Sequence, residues 1–159
     1  MNLELRDLQP SDRPQLARLL SRIPSFDASD QALALELIDI ALQQPAQKDY
    51  LFLLAFDPQA NMAGYACYGP TPLTDRVYSL YWIAVEPVLS GQGIGTFILQ
   101  AVEETLRSTQ ARLLLIETSS APDYKLTRRF YLKNGYPPVE TLKDFYRDGE
   151  DRITFGKRF

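Results

Sequence analysis

The sequence contains no histidine. That absence excludes a Ser-His-Asp or Cys-His nucleophilic arrangement, and with it every zinc site that needs an imidazole. Any proton released during a reaction must pass to a carboxylate, a tyrosine or a chain of waters. Cysteine is nearly as scarce. Cys67 stands alone, which rules out an internal disulfide, and in its apolar surroundings it reads as a buried structural thiol. No apolar run approaches the ~18 residues that span a bilayer. The first residues, Met1 to Asp7, lack the basic-then-apolar pattern of a secretory signal. The expectation is a cytoplasmic protein with no membrane partner. A basic excess is missing too: 17 Lys and Arg stand against 20 Asp and Glu, a net charge of −3, which excludes nucleic acid as the main partner. Repeats, low-complexity tracts and linkers are absent. With 45% apolar residues, the 159-residue chain is expected to form one domain over residues 1–159.

What is present centres on Ser90-Gly91-Gln92-Gly93-Ile94-Gly95-Thr96. An apolar, strand-like run (Val77 to Val85) leads into this turn, and a helix-patterned segment from about Gly93 to Ser108 leaves it. Glycines at 91, 93 and 95 let successive backbone N–H groups converge with no Cβ in the way. The helix start adds partial positive charge, so the turn suits a phosphate or pyrophosphate. A dinucleotide G-x-G-x-x-G pattern fails in both registers, because Thr96 and Ile98 stand where the third glycine belongs. A G-x-x-x-x-G-K-[ST] phosphate loop fails as well, for want of Gly-Lys.

The remaining pattern, Gln92-Gly93-Ile94-Gly95 behind the strand end Ile83-Ala84-Val85, resembles motif A of the GNAT superfamily of acyl-CoA-dependent N-acyltransferases, [QR]-x-x-G-x-[GA]. A second segment agrees. Phe130-Tyr131-Leu132-Lys133-Asn134-Gly135-Tyr136 resembles the family's F-Y-x-K-x-G-[FY] signature, with Asn134-Gly135 supplying a left-handed helix cap. The chain departs from the family at two places. Ser90 stands where Gln or Arg is usual, and Tyr124 where an Asn often contacts the pantetheine arm.

The resemblance implies transfer of an acetyl group from acetyl-CoA to a primary amine of a small molecule or peptide, by direct attack in a ternary complex and without a metal. The alternative it leaves open is a non-catalytic acyl-CoA-binding regulatory module on the same fold. Ile83, Ala84 and Val85 are implied to hold the pantetheine through main-chain groups, and Ser90, Gly91, Gln92, Gly93, Ile94, Gly95 and Thr96 the pyrophosphate. Tyr131 is implied to protonate the departing thiolate. For the proton on the attacking amine, Glu117 at the end of a strand is the first candidate base. Tyr81 and Ser79, on the alternation face of Ile83 and Val85, could instead place a water. Arg128 and Lys133 are helix-face cations within conceivable reach of the phosphates.

Leu3 to Leu8 alternates as a strand, and helices start at Ser11-Asp12-Arg13-Pro14 and Ser29. Tyr50 to Phe56 and Ala63 to Tyr68 make a hairpin ahead of the strand Val77 to Val85. The helix after the glycine turn buries Ile94, Phe97, Ile98, Ala101, Val102, Thr105 and Leu106, with Glu103 and Glu104 on its solvated side. A strand over Arg112 to Glu117, a helix capped by Asp123, and strands near Tyr136 to Lys143 and Ile153 to Arg158 complete the chain. The order β-α-α-β-β-β-α-β-α-β-β is that of the family, and the class is α/β (α+β), with one mixed, mostly antiparallel sheet flanked by helices. The acids of the terminal hairpin (Asp144, Asp148, Glu150, Asp151) are interleaved with Lys143, Arg147, Arg152 and Lys157, which suits charged turns. The strand edges of that hairpin would also allow two subunits to pair as a homodimer.

Overall fold

A computed structural model describes residues 1–159. The chain forms β1 (Glu4–Arg6), α1 (Arg13–Arg22), α2 (Ala28–Gln43), β2 (Leu51–Phe56), β3 (Met62–Pro70), β4 (Val77–Val85), α3 (Ile94–Ser108), β5 (Leu113–Ser119), α4 (Lys125–Lys133), β6 (Pro138–Arg147) and β7 (Glu150–Arg158). The element order is the expected one. The seven strands make one sheet in the order β1-β2-β3-β4-β5-β7-β6, in which only β4 and β5 run parallel. The parallel pair follows from the connection: α3 crosses over between them, whereas the other neighbours are antiparallel. No helix is long and apolar enough to cross a membrane.

Two apolar layers sandwich the sheet. On one face Leu16, Leu19 and Leu20 of α1 and Leu37 and Ile38 of α2 pack on Phe52, Leu54, Tyr65 and Ala84. On the other, Ile94, Ile98, Leu99, Val102 and Leu106 of α3 and Tyr131 of α4 pack on Ala66, Leu80, Leu114, Ile116 and Phe155. The stripe on α3 differs from the expected one, because Phe97 and Thr105 face solvent and Glu103 faces in. The helix starts differ from expectation as well. Asp27, not Ser29, caps α2: its carboxylate accepts from the Asp30 N–H at 2.8 Å while Asp30 answers to the Asp27 N–H. Asp123 caps nothing, since the N-cap position of α4 is Tyr124 and no side chain caps the helix. Asn134-Gly135 does end α4 as expected. Gly135 lies at φ +83, and the N–H groups of Gly135 and Tyr136 return to the carbonyls of Leu132 and Tyr131.

Candidate active site

The ladder between β4 and β5 runs from Val77↔Leu113 to Leu80↔Ile116 and stops. Beyond that point β4 stays on β3 as far as Val85↔Gly64, and β5 stays on β7 as far as Ser119↔Arg152. The two strands therefore splay into a fork whose inner edges carry backbone groups with no strand partner. A bulge opens it. Cys67 opposes Trp82 and Tyr68 opposes Leu80, which leaves Tyr81 as an extra residue in β4. The bulge also resets the alternation. Tyr78 and Leu80 face α3, but so do Ile83 and Val85, while Trp82 and Ala84 face α1 and α2. Ile83, Ala84 and Val85 thus bury their side chains in the two cores and offer main chain to the fork, which suits an extended ligand added as a strand. Ser79 does not share their face. It leans on Thr71, the two hydroxyls 2.7 Å apart, and Tyr81 packs edge-on against Tyr50 at 5.5 Å. The expected alternation was correct for an unbulged strand and fails here because one extra residue inverts the parity.

At the end of the β4 arm the turn delivers Gly91 at φ +78 and Gly93 at φ +84 into the start of α3. These conformations favour glycine, and a Cβ at either position would meet only open space. No side chain caps α3, so the first amide N–H groups of the helix lack a protein acceptor. An uncapped helix start beside exposed Ser90, Gly91 and Gln92 fits a pyrophosphate. Gly95 has a different reason to be glycine: a Cβ there would sit 3.2 Å from the Phe130 ring, so the residue lets α4 close on α3. Ile94 is buried and offers only backbone. Gly93 and Thr96 open onto a polar groove of about 430 Å³ that continues past Gln100 to Lys133, Asn134 and Lys157.

Tyr131 and Glu117 flank the fork from opposite faces. Tyr131 is 5% exposed, with its ring 5.7 Å from that of Phe155. Phe155 lies opposite Ile116, the last β5 residue paired with β4, so Tyr131 overlies the vertex on the α3/α4 side. Burial pushes its phenol well up, keeping it protonated. Glu117 points to the other face, exposed, 3.9 Å from the Arg152 guanidinium. Arg152 also holds Glu140 at 3.1 Å and lies 4.5 Å from the centre of the Phe145 ring. Of the two helix-face cations, Arg128 is committed to the carbonyls of Ser119 and Ala121 at 2.7 and 2.8 Å. Lys133 lines the groove beside the glycine turn.

Glu103 corrects the expected solvated face. It is 4% exposed, accepts from Tyr136 Oη at 2.8 Å and from Lys157 Nζ at 2.9 Å, and pairs with Arg107 at 3.1 Å. The sequence carried a signal for this: Glu103 lies within the stripe Leu99, Val102, Leu106. No local signal shows what Arg152 or Tyr124 contacts, because their surroundings are assembled from distant segments. Of the hairpin acids, Glu150 pairs with Arg147 at 2.7 Å, and Asp144 and Asp151 accept from backbone N–H groups of Gly149 and Asp144.

The acetyltransferase (GNAT) family matches residues 13–136. A structure from Desulfovibrio desulfuricans attributed to the GNAT family of acetyltransferases matches 99% of this chain and 99% of its own length, with TM-score 0.94 and 39% identity. The paiA N-acetyltransferase of Thermoplasma acidophilum, solved in complex with coenzyme A, shares the fold over 100% of both chains at TM-score 0.76 and 18% identity. An uncharacterized N-acetyltransferase of Methanocaldococcus jannaschii is 33% identical over 79 residues, and the match spans about half of each protein, 48% of this chain and 48% of the relative.

Proposed function

The chain belongs to the GNAT family of acetyltransferases, and on that premise we propose that it moves an acetyl group from acetyl-CoA to a primary amine of a small molecule or peptide. The observation that carries the reading is the fork, with an uncapped helix start at the end of one arm and a buried, protonated tyrosine over its vertex. Coenzyme A lies along the α3/α4 face. Its pyrophosphate takes the N–H groups of the glycine turn, and Lys133 and Lys157 border the groove beside them. The pantetheine extends along Ile83, Ala84 and Val85, bringing the thioester to the vertex.

The amine enters from the opposite face, where Glu117 stands. Its nitrogen lone pair attacks the thioester carbonyl, and a main-chain N–H of the β4 arm stabilises the oxyanion. The C–S bond then breaks and Tyr131 gives its proton to the thiolate. Glu117, directly or through water, takes the proton that the amine must shed, because an alkyl ammonium with a pKa near ~10 is otherwise not a nucleophile. The phenolate of Tyr131 recovers its proton from solvent. The test is calorimetric titration of acetyl-CoA followed by assay of thiol release over a panel of primary amines. Binding with release is the expected result. Binding without release from any amine would instead describe a CoA-responsive module, and absence of binding would refute the cofactor assignment.

A further inference from the structure

One contact crosses the fork and has no part in the chemistry above. Ser25 and Phe26 lie between α1 and α2, and Phe26 packs edge-on against Trp82 of β4 with ring centroids 5.1 Å apart. That loop is therefore seated over the β4 arm on the α1/α2 face. Tyr124 comes from the other arm, in the short 3-10 turn Pro122–Tyr124 that follows β5. Its Oη donates to the Ser25 carbonyl at 3.2 Å across 99 residues of sequence. The side chain thus reaches from beyond the β5 arm to the cover of the β4 arm, on the face opposite Tyr131.

Burial, and then the nearby carboxylates of Asp30, Asp27 and Glu150, push the Tyr124 phenol up to about 12. It stays a neutral donor throughout the neutral range, so the bridge to Ser25 persists there. The Tyr124–Ser25 bridge spans the mouth of the fork that an amine must enter from this face to reach the vertex.

We propose that Tyr124 is the specificity-determining residue of the acceptor side: its ring and its bond to Ser25 bar the mouth of the fork to branched or aromatic amines and admit unbranched primary alkylamines. The inference rests on the acyl-transfer reading and adds the shape of the acceptor. Trp82 is the only tryptophan in the chain and lies directly under the loop that Tyr124 holds, so its fluorescence reports on the bar without any substrate.

The experiment compares wild type, Tyr124→Phe and Tyr124→Ala. It measures quenching of Trp82 by acrylamide, acetyl-CoA binding, and kcat/KM for a series running from butylamine to phenethylamine and a branched amine. With alanine the Stern–Volmer constant rises about twofold, as a local opening requires. The kcat/KM for the bulky amines rises about tenfold against butylamine, a scale at which pockets separate substrates differing by a small group. Acetyl-CoA binding is unchanged. The phenylalanine variant, which keeps the ring and loses only the hydrogen bond, moves both readouts in the same direction by less. Unaltered quenching and amine preference in a folded alanine variant overturn the role of Tyr124 and leave acyl transfer standing. So does an equal loss for every amine, or weaker acetyl-CoA binding with no change in preference. A wild type that binds acetyl-CoA and acetylates no amine overturns the acyl-transfer reading and the acceptor role with it.

Discussion

Replacing Glu103 with leucine removes the acceptor that three donors share, and the environment of each donor sets the cost. Tyr136 is fully buried, and its hydroxyl has Glu103 as its partner at 2.8 Å. Stranding a buried hydroxyl costs about 1–3 kcal/mol. Lys157 loses its carboxylate but keeps the Asn134 carbonyl at 3.2 Å, and its side chain is 27% exposed. Its share therefore falls below the roughly 3–5 kcal/mol of a sealed ion pair. Arg107 is more than half exposed and contributes little. A leucine in an apolar stripe offsets part of the loss, which leaves a net destabilisation of about 2–4 kcal/mol. Urea unfolding followed by circular dichroism measures it, and each kcal/mol should also lower Tm by about 2–4 °C.

The sharper test is a sign reversal on adding Tyr136→Phe. In the wild-type background that change deletes a charge-assisted hydrogen bond and should cost about 1–2 kcal/mol. In the Glu103→Leu background it deletes a stranded hydroxyl and should recover about 1 kcal/mol. If Tyr136→Phe destabilises both backgrounds equally, the two residues are not coupled and the assignment of Glu103 as a buried acceptor is wrong.

Three further outcomes follow from the same geometry. Tyr131→Phe should lower kcat about 100-fold while leaving acetyl-CoA affinity unchanged, since the ring packing survives and only the proton donor is lost; steady-state kinetics beside calorimetry will separate the two. Tyr65→Phe should stabilise the protein by about 1 kcal/mol in urea unfolding, because Tyr65 Oη is sealed from solvent without a partner. Burial alone would raise the carboxyl of Asp12, but its hydrogen bonds with Arg6 and the Gln9 N–H outweigh burial and hold it below the usual value. Its stabilisation is therefore complete above the unfolded pKa and is lost as pH falls through the lower folded one. Asp12→Asn should be clearly less stable than wild type at pH 7, and the gap should shrink as pH falls below the usual aspartate range.

Much of this protein was readable in one dimension because it depends on short-range geometry. The glycine turn, the helix behind it, the Asn134-Gly135 cap and the element order are written in residues a few positions apart, where φ preferences and apolar spacing act directly. Tyr131 and Ile83 to Val85 were named from a local pattern, and the fold puts that tyrosine over a fork bordered by that strand. The turn's three glycines looked alike in sequence, but the structure separates them. Gly91 and Gly93 need positive φ, whereas Gly95 needs room for a ring that arrives 35 residues later at Phe130.

Tertiary structure alone decided what depends on parity and on partners far apart in the chain. One extra residue at Tyr81 inverts the faces of β4, which no alternation count reveals, because the bulge is defined against β3. It is also what turns Ser79 and Tyr81 away from the face of Ile83 and Val85. Glu103 becomes a core acceptor because Tyr136 and Lys157 come to it from the end of α4 and from β7. Tyr124 meets Ser25 only when the sheet brings its two halves together, and Glu117 meets Arg152 only when β5 pairs with β7. Local backbone preferences determine which elements form, while burial and long-range pairing determine which side chains those elements bring face to face.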